Sequence, residues 1–470
     1  MRRLVILFVI VLIVAQPVLA QTEDPISLYE QGVEAFFRYD GAAEAVELFN
    51  QLIELEPENA FAYAFRGSAY RALEEMDLAK ADIDRALELA PRNGLVVSML
   101  ARWYMQNGDT ELAKETIQEA LELTPEVAIV YYNHGRILFD MGDYEGAFSE
   151  YGEAVSREMN PVLMSEYYRT RANQRIDATQ DRAAAIEDYS QAIQANPNNM
   201  AAYADRGNNY LLFGYLDAAL SDLEVALALD PNNVYALVHY GDTLSQMGRF
   251  DEALAALQKA EDLEPDRADT YLVQGIVYFR MGEKVTALHL LDQAATLAPE
   301  NSEIFYNRAI MNAGLSMLYQ ALQDYNRAIE LDPNNYRALM NRGSLYRDGM
   351  NDYESAIADY TAAIAIWPTF TLAINNRGIA YSRSGDHESA LADFITVTEI
   401  YPAWAIGYFN AGLEYYDLGR YEEAVTSHTR AIELDPTYGN AHYARGLAYQ
   451  ALGKQTEADA DFDRAVQLGG

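Results

Sequence analysis

The chain of 470 residues has 34 lysines and arginines against 71 acidic residues, a formal net charge of -37, and no cysteine. With only five lysines and no basic stripe, nucleic acid is excluded as the expected partner. The missing cysteine removes disulfides, a thiol nucleophile and a lipid-modified N-terminal cysteine.

Residues 1–20, MRRLVILFVIVLIVAQPVLA, begin with Arg2 and Arg3, continue in an apolar run from Leu4 to Ala15, and end on Val18 and Ala20 after the breaker Pro17. This is the pattern of a secretory signal peptide, and it sets the expectation of a secreted or bacterial cell-envelope location, periplasmic or otherwise extracytoplasmic. Retention as an anchor is disfavoured, because the apolar run makes ~18 Å of helix against a ~30 Å hydrocarbon core. No integral membrane span is expected after cleavage.

From residue 25 onward one interval dominates. Alanine recurs at positions 45, 79, 113, 147, 185, 219, 253, 287, 321, 356, 390, 424 and 458, and ten of the twelve intervals are 34 residues. Every proline after Pro25 falls about twelve residues after one of these alanines. Within a unit such as 336–368, apolar residues three and four apart flank a Gly/Asp-rich break, which predicts two amphipathic helices joined by a turn. Gly67, Gly207, Gly241, Gly275, Gly378, Gly412 and Gly446 lie on first helices, where a small residue permits close packing. The proline ends each second helix. Asn-Asn after it, as in Pro231-Asn232-Asn233 and Pro333-Asn334-Asn335, supplies a cap for the next helix.

These offsets resemble the tetratricopeptide repeat (TPR) family, in the last repeat through Gly446, Tyr449, Gly453, Ala458, Phe462 and Ala465. The expected fold is all-α, an α-solenoid superhelix of about thirteen helix-turn-helix units. The resemblance implies binding of proteins or peptides and no particular reaction. One interval, from Ala147 to Ala185, is 38 residues, which places a break between repeats 1–4 (21–160) and repeats 5–13 (161–470).

Much of the negative charge falls on second helices, as in Glu187-Asp188 and Glu422-Glu423, which form the convex face in such arrays. On the inner face Arg71, Arg102, Arg136, Arg280, Arg337, Arg347 and Arg383 offset Asp140, Asp205, Asp242, Asp269, Glu303, Asp348 and Asp417. Arg precedes the first-helix Gly or Ala in seven repeats (Arg66, Arg171, Arg206, Arg308, Arg342, Arg377, Arg445). The same seven carry Asp three residues after the ladder alanine. The pairing predicts an Arg-carboxylate bridge between the helices of a repeat, or at the junction with its neighbour.

One residue before that arginine position stand Asn133, Asn307, Asn341, Asn376 and Asn410, four of them in consecutive repeats 9 to 12. An amide offers a donor and an acceptor to the backbone of an extended peptide. Tyr306, Met340, Phe409 and Tyr416 are expected beside them as apolar pockets, with Tyr132, Phe139, Tyr235 and Phe279 further up. The alternative is that the amides bridge neighbouring helices and the aromatics pack between repeats. The chaperone-tail clamp of some TPR domains needs lysine where this chain has Tyr306, Met340, Asn375 and Phe409.

No Gly-x-Ser-x-Gly, phosphate loop or metal-type histidine pairing is present, His428 occupies an aromatic core slot, and no enzyme activity, cofactor or metal is expected. The reading is a scaffold binding extended segments in its groove. Its alternative is an envelope assembly factor acting through its convex face and an uncapped C-terminal repeat, where Phe462 would mediate self-association or docking.

Overall fold

The computed structural model describes residues 24–38, 41–158 and 160–469, and the signal-peptide segment lies outside them. Among the described residues there are twenty-six α-helices and no strand. The helices pair in chain order into thirteen hairpins, from Pro25–Phe37 with Ala42–Leu55 to Gly439–Ala451 with Gln455–Gln467. The chain divides into two compact units, residues 1–239 and 240–470. At the 160/161 break placed by the sequence, helix Pro161–Thr179 packs against Tyr144–Arg157 and Pro25–Phe37.

All thirteen ladder alanines are fully buried at 0% exposure, because each faces the partner helix of its own hairpin at the point of closest approach. The first-helix glycines lie opposite the residue sixteen places later. A Cβ on Gly446 would stand 2.7 Å from the Phe462 ring, and one on Gly378 would stand 2.8 Å from Phe394. Asn233 and Asn335 cap the following helices as the sequence predicts, accepting from Ala236 N at 2.9 Å and Ala338 N at 3.0 Å.

The hairpin turn needs one residue at positive φ. Glycine fills it at Gly108, Gly142, Gly214, Gly248, Gly282, Gly385, Gly419 and Gly453, but Glu74, Gln180, Ser316 and Asn351 adopt it in four other repeats. Two of those four accompany the irregular intervals. The first helix of repeat 5 reaches 19 residues by starting at Pro161 itself and by taking up the residues added before Ala185, and Gln180 then takes the left-handed position at φ 56°. The 35-residue interval before Ala356 is absorbed by a π-helical turn, Leu345–Met350, closed by Asn351 at φ 55°.

All seven predicted Arg–Asp pairs form. In each, Nε and Nη2 donate to the two carboxylate oxygens of the same Asp at 2.5–3.0 Å. The Asp side chains are only 3–9% exposed, so Asp188 belongs to this bridge and not to the solvated convex face. In six of the seven the remaining Nη1 donates to the preceding repeat's second helix, to Asn50, Ser190, Asp292, Asn326, Thr361 or Thr429 at 2.6–3.1 Å. One guanidinium therefore ties three helices, and both alternatives left open by the sequence are realised.

His428 replaces the buried Tyr or Phe of this second-helix slot (Tyr151, Tyr189, Tyr360, Phe394) and is itself 0% exposed, with neither ring nitrogen bonded. Burial, with a smaller push from Arg445, lowers its pKa from 6.5 to about 4.

Two predictions follow from this packing. Arg308 bonds a buried and an exposed carboxylate, Asp324 and Asp292, at 8% and 60% side-chain exposure. Asp324→Ala should cost ~2–4 kcal/mol and Asp292→Ala ~0–1 kcal/mol in urea denaturation. Because His428 binds its proton more tightly unfolded than folded, its contribution is complete above pH 6.5 and is lost as pH falls toward 4. His428→Phe should remove up to about 3 kcal/mol of acid sensitivity in that window, read as melting temperature against pH.

Candidate functional site

First helices of successive repeats touch one another, as Ala60–Ala72 touches Gly94–Gln106 and Ala405–Asp417 touches Gly439–Ala451. This packing sets the first helices on the inner side of each unit.

In residues 240–470 the four asparagine rungs are half-buried on these helices. Asn341 Nδ2 donates to Tyr306 Oη at 3.3 Å, Asn376 Nδ2 approaches Met340 Sδ at 3.8 Å, and Asn410 Nδ2 donates to Asn375 Oδ1 at 2.9 Å. Each amide thus reaches back to the residue immediately before the rung of the preceding repeat. Asn307 turns along its own helix to Glu303 O at 2.9 Å. The bridging role weighed in the sequence uses only the NH2 end. The Oδ1 atoms of the four rungs receive no hydrogen bond from the described residues.

The flanking side chains are also half-buried. Tyr306 leans on Tyr325 with centroids 6.5 Å apart, and Tyr416 packs on Tyr421 at 5.3 Å. Phe409 lies between His428, at 5.6 Å, and Tyr438 of the next repeat, at 4.8 Å. Burial raises the Tyr306 pKa, and its hydroxyl accepts from Asn341 Nδ2. Nearer repeat 8 acids and arginines alternate: burial and then Asp242 raise Glu303, with Arg337 opposing and Asp269 adding to the shift, while Asp242 pairs with Arg280 and Asp269 with Arg267.

Asn133 is different. It is 8% exposed and its Nδ2 donates to Ser98 Oγ at 2.9 Å, while Tyr132 beside it is stacked on Tyr167 at 4.8 Å. Phe37, at the end of the helix Pro25–Phe37, sets its ring edge-on to both tyrosines at 5.4 and 5.7 Å. The first helix of the array turns back onto this wall, so Asn133 belongs to packing and is not an open rung.

Two constellations were not legible in the sequence. A cavity of about 720 Å³ lies within residues 1–239, walled by helices Pro25–Phe37, Pro161–Thr179 and Met200–Leu212. Its floor is a network in which Arg169 bonds Glu166 at 2.9 Å and Asp205 at 3.3 Å, while Asn199 Nδ2 donates to Glu166 at 2.8 Å. Burial raises Asp205, and Arg169 counters it. Two carboxylates share one guanidinium, a balance that suits a cationic guest. The second is His387, Glu414 and Asp417, whose ligand-type atoms lie within 4.8 Å of one another. His387 Nδ1 pairs with the buried Glu414 at 2.8 Å, and this contact raises the histidine pKa. Both join residues from different repeats, and only the 38-residue interval hinted at the first.

Profiles described as "Tetratricopeptide repeat" match residues 62–93, 98–158, 177–234, 210–276, 320–369 and 439–468, and one described as "TPR repeat" matches 412–453. No curated protein matches the chain in sequence. Among solved structures, a chain of the APC/C hetero-tetramer Cut9-Hcn1 is 15% identical with a TM-score of 0.45, covering 96% of this chain and 94% of that one. The MamA protein is 22% identical with a TM-score of 0.34, covering 36% of this chain and 91% of its own. Nothing about partners follows from likenesses of this size. No described helix is long and apolar enough to cross a membrane.

The contrast between the rungs is measurable. Asn133→Ala removes a buried bond that Ser98 Oγ accepts, while that hydroxyl keeps its own bond to Leu95 O, and should cost ~1 kcal/mol, whereas Asn307→Ala should stay within ~0.5 kcal/mol, both from denaturation midpoints.

Proposed function

Because the chain belongs to the tetratricopeptide-repeat family, we propose that it is an extracytoplasmic scaffold holding an extended peptide or protein segment along the first helices of repeats 9 to 12. One observation carries the reading: four consecutive rungs anchor their amide nitrogens within the array and leave their carbonyl oxygens free to accept. A carbonyl held by its own amide's bond is oriented before the ligand arrives, which lowers the entropy lost on binding. Backbone N–H groups of an extended segment are donors that any sequence supplies, and the partly exposed edges of Tyr306, Met340 and Phe409 add apolar contact between rungs. The extracytoplasmic location rests on residues 1–20, and the reading assigns the protein no reaction and no cofactor.

A second reading is an assembly factor that self-associates through its last repeat. Val466 at 76% and Tyr443 at 50% exposure support it.

The test is a pull-down from native envelope extract with the protein and with its Asn307/Asn341/Asn376/Asn410→Ala variant. Partners lost only with the variant support the groove. Partners retained equally by both overturn it, and concentration-dependent mass in light scattering, abolished by a polar substitution of Phe462, then favours the second reading.

A further inference from the structure

Other inner-face arginines reach a carboxylate: Arg280 pairs with Asp242, Arg347 and Arg383 share Asp348, and Arg169 holds two acids. The first helices of repeats 2, 3 and 4 break this rule. They bring Arg71, Arg102 and Arg136 together, and the carboxylate among them is Asp140, whose Oδ2 accepts from Arg102 Nη1 at 2.7 Å. Arg71 reaches only a neutral group, Gln106 Oε1 at 2.7 Å, and Arg136 Nη1 only the Tyr132 hydroxyl at 3.5 Å. Arg71 Nε, Arg136 Nε and the Tyr151 hydroxyl are shut off from solvent with no partner. Arg102 is 5% exposed.

Buried donors without acceptors are rare in folded proteins and each requires an explanation, and here two belong to neighbouring guanidiniums beside a third. Three cations against one anion leave a charge of two to be balanced, and uncompensated buried charge is strongly destabilising. Burial and the neighbouring Arg102 and Arg136 lower Arg71 to about 9, and burial with Arg136 lowers Arg102, while Arg136 itself is pushed up by the Tyr132 oxygen beside it. Asp140 is 37% exposed, so the cluster is open to solvent on its side.

We propose that Arg71, Arg102 and Arg136 form a binding site for a doubly charged tetrahedral oxyanion, phosphate or sulfate in chemistry, entering beside Asp140. Guanidinium forks match such oxygens in geometry, and a dianion neutralises the cluster. The site lies in residues 1–239 and does not depend on the groove of repeats 9 to 12.

Isothermal titration of the protein with sodium phosphate and with sodium sulfate, at constant ionic strength and with sodium acetate as control, tests it. Saturable binding of a dianion at one site is expected, weakened at least tenfold by Arg136→Gln and tightened severalfold by Asp140→Asn, which removes the competing carboxylate. A phosphoserine peptide in the same titration separates the sources: tighter binding than inorganic phosphate assigns the anion to a partner, and weaker binding to a free ion. Should Arg136→Gln fail to fold by circular dichroism, the Asp140→Asn result decides alone. Absence of saturable heat with every phosphate or sulfate probe, acetate binding as well as phosphate, or weaker binding in Asp140→Asn would overturn the assignment.

Discussion

A guanidinium held on three sides organises most of this array. Where Arg stands before the first-helix glycine or alanine, its fork grips one Asp of the same hairpin, and in six repeats its third nitrogen reaches the hairpin before. An apolar contact at the same place would resist separation but would tolerate sliding by a fraction of a turn. A bidentate bridge has direction and length, so it sets the register of first helix against second helix and of one repeat against the next. The glycine beside it allows the approach, and the fully buried ladder alanine marks where that approach is closest. In a linear array each repeat contacts chiefly its neighbours, so register must be specified locally, repeat by repeat.

The same constraint sorts the charge. A chain this acidic could be read as a continuous negative surface, yet the seven bridging carboxylates are buried and neutralised. What remains on the inner side is uneven. The cavity of residues 1–239 has carboxylates in excess around Arg169, and the Arg71–Arg102–Arg136 cluster has cations in excess. Successive first helices bring together residues about 34 places apart, so each local excess arises from neighbours that no single repeat contains.

The asparagine rungs show how one side chain serves two purposes. An amide has two ends with opposite hydrogen-bonding character. In repeats 10 to 12 the nitrogen end joins the repeat to its predecessor, and the oxygen end faces away from that bond. Bridging and binding were set against each other as alternatives on the sequence, but the geometry of the amide lets the first prepare the second. Asn133 lies at the same repeat position yet is closed off, because Phe37 and Tyr167 cover its neighbour Tyr132.

The hairpin count, the buried alanines, the glycine contacts, the asparagine caps and all seven Arg–Asp pairs could be read from the order of the residues. Each of these depends on residues within one repeat or at a fixed offset, and thirteen copies make the offset visible. The same order also located the irregular interval before Ala185, though not its form: that insertion lengthens a helix, and the 35-residue interval is taken up by a π-turn, because Gln180 and Asn351 accept left-handed geometry in place of glycine. Which rungs are open, which inner-face charges are balanced, and that His387 meets Glu414 emerge from the folded chain alone. These outcomes depend on how repeats stack and on the helix Pro25–Phe37 returning to the wall of repeats 4 and 5. The repeat period says which positions neighbour one another, but the side chains that differ from repeat to repeat at those positions, and the returning first helix, decide which contacts form.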